Sequence, residues 1–175
     1  MTKFAIVTAI MALVLLGGFI GLSIWRFGLQ KSYSAYARKW KEFIPMHNAN
    51  VWSIVTVIVA ILMTPALIER AAGSPIQFLG FLAPMYLIAV AMTPDYQTNQ
   101  RQMLVHCLMT ICCAVGFIAY VCFGLRLWFV PLICLAAFYF LIGLPTRSIK
   151  TSYILWAECA MFSAAFVVVF IPGGC

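Results

Sequence analysis

Apolar residues along this chain are gathered into six long runs, with short polar segments between them. A helix that crosses the hydrocarbon of a bilayer needs about 20 apolar residues, within a range of roughly 17–25. Backbone polar groups in lipid must also be satisfied internally, which favours helices. The pattern predicts an all-α, polytopic bundle that forms a single transmembrane domain over residues 1–175. The expected spans are residues 4–25, 51–68, 76–93, 103–124, 127–144 and 153–171.

The connection over residues 26–50 is long and basic, and it predicts a short amphipathic helix over Ser32–Ile44. Apolar side chains recur there at spacings of three and four, which places them on one helical face. These side chains are Tyr33, Tyr36, Ala37, Trp40, Phe43 and Ile44. One interpretation is a helix at the membrane interface that packs under the bundle and sets its orientation. The other is a site for anionic lipid headgroups formed by Arg38, Lys39, Trp40 and Lys41.

Composition supports the membrane interpretation. The chain is 65% hydrophobic and 9% charged, with a mean hydropathy of +1.06. A soluble domain keeps roughly a quarter of its residues charged in order to cover its surface. We therefore expect an integral protein of the cytoplasmic (inner) or plasma membrane, with membrane lipids as its first partners.

The net charge of +7 has an explanation in membrane topology. Cytoplasmic loops carry an excess of Lys and Arg, whatever the protein does. In the six-span arrangement, Lys3, Arg70 and Arg126 fall on one side, and the other eight of the 11 basic residues fall on the other. The basic side should be cytoplasmic, which places both termini, including Cys175, outside. Nucleic-acid binding is disfavoured because no fold signature for it occurs.

Cysteines and small residues point to packing between helices. Six of the seven cysteines lie inside apolar runs, and their spacing matches no zinc motif, so neither a metal nor a cofactor is expected. Gly17 and Gly21 form a G-x-x-x-G pair, which allows close approach of a second helix. Together with Ala160 and Ala164 they are candidate packing positions, within the bundle or in a homo-oligomer or larger membrane assembly.

Ionisable residues near the ends of the apolar runs are the candidates for chemistry. An ionised side chain at the centre of a membrane helix costs roughly 2.5–3.5 kcal/mol on insertion scales, so such residues often mark functional sites. The sequence predicts a polar pocket on the cytoplasmic half, formed by Asp95, Arg101, His106 and Glu158. Asp95, His106 and Glu158 are also the candidate catalytic residues, as acid, base or proton relay. The plainer interpretations are a turn cap for Asp95 and a satisfied interfacial imidazole for His106.

Three functions remain open from the sequence. The leading hypothesis is a transporter, channel subunit or accessory membrane component, rather than an enzyme, because the loops are too short to hold a soluble catalytic site. The first alternative is a membrane-embedded lipid-modifying enzyme that uses Asp95, His106 and Glu158. The second is a structural assembly partner. Neither a phosphate-binding loop nor a G-x-S-x-G or H-E-x-x-H motif occurs to favour a soluble enzyme class.

Overall fold

The chain folds into a helical bundle. The computed structural model describes residues 1–46 and 50–171, and for Ile149 and Lys150 it describes the backbone alone. No strand occurs in these ranges. The helices are α1 (Lys3–Phe27), α2 (Tyr36–Phe43), α3 (Val51–Arg70), α4 (Leu79–Ala91), α5 (Gln100–Ala119), α6 (Phe129–Phe138) and α7 (Ile149–Phe170). Both α5 and α6 continue into π-helical turns, over Tyr120–Gly124 and Tyr139–Gly143.

Four helical segments are long and apolar enough to cross a membrane: Lys3–Phe27, Val51–Arg70, Gln100–Gly124 and Thr151–Phe170. They correspond to the first, second, fourth and sixth predicted spans, with ends that differ by a few residues. The predicted spans 76–93 and 127–144 contain the shorter apolar helices Leu79–Ala91 and Phe129–Gly143. Tighter turns precede the helix Leu79–Ala91 and extend it at its start. In these turns Leu79 N–H donates to the Ile76 carbonyl and Gly80 N–H to the Gln77 carbonyl.

The connections between helices gather at two ends of the bundle. At the first end, the Thr2 amide and hydroxyl donate to the Glu69 carboxylate at 2.6 and 2.7 Å, and Arg70 Nε donates to the Val168 carbonyl oxygen at 2.8 Å. At the second, Lys41 Nζ lies 2.6 Å from Asp95 Oδ1. We call the second end, formed by residues 26–46, 92–101 and 144–150, the basic end. It carries the eight basic residues that the sequence places on one side.

Helices α1 and α3 pack through a stripe of alanines. Ala5, Ala9 and Ala12 are fully buried, at a spacing that aligns them on one face of α1. Gly17 and Gly21 lie on the exposed side of α1, and a Cβ built on either residue would meet nothing within 4 Å. These glycines therefore take no part in packing within the described chain, whereas Ala160 and Ala164 on α7 are buried as packing positions. Alanine is also small enough to allow close approach of helices, and the G-x-x-x-G pair on the outer face stays a prediction for contact with a second chain.

Helix α4 approaches α3 closely at Gly80. A Cβ on Gly80 would lie 2.9 Å from the carbonyl oxygen of Leu67 and 3.1 Å from the Tyr120 ring. The same Leu67 oxygen accepts a hydrogen bond of 2.5 Å from the Tyr120 hydroxyl. Gln77 Nε2 donates to the next carbonyl oxygen, that of Ile68, at 3.0 Å. Side chains from two other segments thus satisfy carbonyls in the last turn of α3, which have no intrahelical donor.

Helix α2 is shorter than the predicted Ser32–Ile44 and turns its aromatic face toward the bundle. Trp40 is 4% exposed, stacks on Phe19 with ring centroids 5.3 Å apart, and donates from Nε1 to the Ser23 hydroxyl at 2.8 Å. Asn50 caps α3 and donates from its amide to the Ala37 carbonyl oxygen at 2.8 Å. Phe43, the last residue of α2, is half exposed although its ring contacts Phe27 and Trp40, and Ile44 is exposed after the end of the helix.

Candidate functional site

The segment just before α2 docks on a break in α7. Helical backbone is interrupted at Ser152, with φ −134° and ψ 25°. The amide of Leu155, three residues beyond the break, donates to the Lys31 carbonyl oxygen at 3.0 Å. Near it, Tyr33 N–H donates to Glu158 Oε2 at 2.5 Å. The Glu158 carboxylate is therefore held by a backbone amide that lies 125 residues away in sequence.

The Tyr33 side chain extends this junction into the bundle. Its hydroxyl shares a hydrogen bond of 2.9 Å with the Thr56 hydroxyl on α3. Its ring contacts Trp52 of α3 and Phe162 of α7, with centroids 5.6 and 5.4 Å away. Burial raises the pKa of Tyr33 above its ordinary value, because removal of water disfavours the charged form. Tyr33 thus holds the basic ends of α3 and α7 together through both its backbone and its side chain.

A cavity of about 380 Å³ lies beside this junction, between α3, α4, α5 and α7. Its wall is mostly apolar, with Val59 and Met63 from α3, Pro84 from α4, Phe117 from α5 and Phe166 from α7. Tyr33, Ser34, Tyr153 and Glu158 line it near the basic end. Apolar walls around a few placed polar groups are also typical of pockets that bind small molecules.

Several polar groups of the cavity wall already have partners within the protein. Thr110 Oγ1 donates to the His106 carbonyl oxygen at 2.7 Å, and Cys113 Sγ donates to the Ala83 carbonyl oxygen at 3.3 Å. Trp52 differs, because its fully buried indole Nε1–H has no hydrogen-bond partner among the described residues. A buried donor without a partner costs roughly 1–3 kcal/mol. A water or ligand atom that accepts this hydrogen bond would recover that free energy.

His106 is held by the turn that follows α4. It is 6% exposed, its ring stacks on Tyr96 with centroids 3.9 Å apart, and its Nδ1 lies 2.9 Å from the Thr93 hydroxyl. That hydroxyl donates its hydrogen to the Val90 carbonyl oxygen at 2.7 Å. Its oxygen is therefore left to accept, and we assign the hydrogen of the imidazole to Nδ1. The imidazole joins the start of α5 to the end of α4.

Asp95 and Arg101 lie at the surface of the basic end. Asp95 pairs with Lys41, and both side chains are more than one third exposed, so the pair contributes at most about 1 kcal/mol. Its backbone carbonyl accepts hydrogen bonds from the amides of Thr98 and Asn99 in the turn before α5. Arg101 is exposed in the first turn of α5, where Asn99 caps the helix.

The four residues of the predicted polar pocket thus do not come together in one site. Glu158 lines the cavity, while Asp95, Arg101 and His106 are not among the residues that form its wall. No hydrogen bond joins Asp95, His106 and Glu158 to one another in the described chain, and no three His, Cys, Asp or Glu side chains there cluster as metal ligands. The sequence analysis grouped Glu158 with Asp95, Arg101 and His106, and the observed donor to its carboxylate is the Tyr33 amide. Backbone amides leave no mark in sequence, so no pattern could have identified this one.

The basic side chains of α2 point away from the bundle, whereas the tryptophan between them is buried. Arg38 Nε donates to Glu42 Oε1 at 2.8 Å, and Lys39 Nζ lies 3.8 Å from Glu42 Oε2. Lys41 pairs with Asp95. Trp40, grouped with these residues as a headgroup contact in the sequence analysis, is instead buried against α1 and unavailable to a headgroup. Its aromatic ring packs against Phe19 within the protein.

Comparison of this chain with protein-family models, with curated proteins and with solved structures finds no match.

Proposed function

We propose that this chain is an integral membrane protein that binds an apolar or amphiphilic molecule inside its helical bundle, as a small carrier or as an accessory component of a membrane system. The observation that carries this proposal is the cavity between α3, α4, α5 and α7. A pocket that combines long apolar walls with polar groups at one end suits a molecule with an apolar body and a polar head.

The outer surface of the bundle supports placement in a membrane. On α5, Leu104, Leu108, Ile111, Val115 and Ile118 are between 43% and 71% exposed, at a spacing that forms one continuous stripe. Water-soluble monomers rarely expose an apolar surface of this extent, whereas lipid covers it without cost. In this proposal six helices cross the bilayer, with α4 and α6 as the shorter spans, and α2 lies at the interface of the basic end.

Orientation follows from the uneven distribution of Lys and Arg. We expect the basic end to be cytoplasmic and the first residues of the chain to be outside. The prediction for Cys175 lies outside the described residues, and a test at described positions is therefore preferable. Lys39 at the basic end and Ala72 at the opposite end both serve, because each is accessible at the surface.

A cysteine-labelling experiment tests this orientation. In a variant without the native cysteines, Ala72→Cys should react with a membrane-impermeant maleimide in intact cells. Lys39→Cys should react only after the membrane is permeabilised, because its side chain faces the cytoplasm. Labelling of Lys39→Cys but not Ala72→Cys in intact cells would reverse the orientation, and labelling of both would contradict the membrane arrangement.

The cavity itself can be tested by filling it. Ala114 on α5 lines the cavity, and its neighbour Val115 is 60% exposed on the outer stripe. Ala114→Phe should place a ring in the cavity and reduce the amount of co-purified small molecule that native mass spectrometry detects. Val115→Phe adds an aromatic ring of the same size on the lipid side and should leave that amount unchanged.

Two results would count against the cavity as a binding site. The first is wild-type protein that carries no bound molecule after gentle extraction and takes up none of an added single-chain lipid. The second is an equal effect of Ala114→Phe and Val115→Phe on the bound amount, in variants with the same melting temperature. The lipid-modifying alternative finds less support, because its three candidate residues do not share a centre.

A further inference from the structure

We infer that the ligand of the cavity is a lipophilic cation, such as a protonated amine or a quaternary ammonium or phosphonium ion, with its charge beside Glu158. This inference rests on the proposed function and specifies the chemical class of the ligand. The starting observation is the balance of charge in the cavity wall. Glu158 supplies a carboxylate, and none of the described residues that line the cavity is Lys, Arg or His.

The Glu158 carboxylate is only partly satisfied by the protein. Its one hydrogen-bond donor among the described residues is the Tyr33 amide, which reaches Oε2. No basic side chain forms an ion pair with it in the described chain, where the three ion pairs involve Glu42 and Asp95. An ionised carboxylate in apolar surroundings is costly unless a positive charge compensates it. A cationic ligand supplies that charge, whereas an anionic ligand would add repulsion.

Aromatic residues in the wall of the same cavity favour the same ligand class. Tyr33, Trp52, Tyr153 and Phe162 line the cavity together with Glu158. The faces of such rings attract cations through their quadrupole, most strongly where water is excluded. The remaining wall, from Val59 to Phe166, offers apolar contact for the hydrocarbon or aryl groups of the ligand. An acidic group, aromatic residues and apolar walls in one cavity together suit a hydrophobic cation.

The matched pair of tetraphenylphosphonium and tetraphenylborate tests the inference, because these ions share size and shape and differ in the sign of their charge. Binding to purified wild-type protein is measured by equilibrium dialysis, with uptake by empty micelles subtracted. We expect saturable binding of tetraphenylphosphonium, and affinity for tetraphenylborate that is weaker by about tenfold or more, as close charge pairs typically give.

Variants then assign the preference to Glu158. Glu158→Gln keeps an oxygen that accepts from Tyr33 N–H but removes the charge, and it should weaken tetraphenylphosphonium binding by about tenfold or more. Glu42→Gln, on the exposed face of α2 and outside the cavity, is the control and should bind as wild type does. If Glu158→Gln does not fold, the comparison of the two ions on wild-type protein still decides.

Three outcomes would overturn the inference: no saturable binding of tetraphenylphosphonium, equal affinity for both ions, or a preference for tetraphenylborate. The Ala114→Phe variant separates this failure from failure of the proposed function. If both ions bind equally and Ala114→Phe weakens both, the cavity binds ligands without regard to charge and only the inference fails. If Ala114→Phe changes the binding of no ligand, including co-purified molecules, the proposed function fails as well.

Discussion

Replacing Trp40 with glutamate should prevent accumulation of folded protein. The Trp40 ring is 4% exposed, stacked on Phe19 and edge-on to Phe27, and its indole donates to the buried Ser23 hydroxyl. Loss of a buried tryptophan side chain alone typically costs about 3–5 kcal/mol. The substitution also places a carboxylate among the rings of Phe19 and Phe27, which is costly unless the charge is compensated. Native domains are stable by only about 5–15 kcal/mol, so the combined cost approaches the whole stability.

Fluorescence-detected size exclusion in mild detergent measures this effect as the yield of monodisperse protein. Lys39→Glu, one residue earlier on the exposed face, is the charge control and should retain most of the yield, although it loses the contact with Glu42. Trp40→Phe keeps a ring in the cluster but loses the hydrogen bond to Ser23. It should lower the free energy of unfolding by about 1 kcal/mol for that hydrogen bond, and further because the phenyl ring buries less apolar area. Equal yields from Trp40→Glu and Lys39→Glu would show that α2 does not insert this face between the other helices.

The second large effect is expected at Gly80, where alanine should destabilise the bundle. Alanine is normally favoured over glycine within a helix by up to about 1 kcal/mol. At Gly80 its Cβ would lie 2.9 Å from a backbone oxygen of α3, and backbone cannot move aside as a flexible side chain can. Overpacking of this kind costs typically about 1–3 kcal/mol. Displacement of α4 from α3 would also strain the hydrogen bond from the Tyr120 hydroxyl to the Leu67 carbonyl oxygen, because the added Cβ would lie against the Tyr120 ring.

Gly116→Ala is the matched control, because a Cβ at that helical glycine meets nothing within 4 Å. Thermal unfolding in detergent should show a lower melting temperature for Gly80→Ala, and an unchanged or higher one for Gly116→Ala. The opposite signs arise because both variants share the gain in helix propensity and only one meets a neighbouring backbone. A melting temperature of Gly80→Ala at or above that of wild type would contradict the close approach of α3 and α4.

Periodicity in the sequence was sufficient to predict the helical fold and the positions of the polar connections. The long apolar runs became α1, α3, α5 and α7 with small changes at their ends, because runs of this length have few ways to satisfy their backbone other than as helices. The face of α2 that carries Tyr36, Ala37 and Trp40 was also predicted from spacing, and these residues are buried. Which surface covers that face was left open, and in the structure both α1 and α3 cover it.

What the sequence could not determine is which distant groups meet. The sequence indicated that a buried Glu158 carboxylate is costly without a partner, and the partner is the Tyr33 amide in the turn before α2. The G-x-x-x-G rule selected Gly17 and Gly21 on α1, whereas α3 packs on Ala5, Ala9 and Ala12. Local patterns decide which segments are helical and which side chains are expensive to bury. The pairing of helices, the cavity between them and the donor for each carboxylate depend on long-range geometry, which arises only when the whole chain has packed.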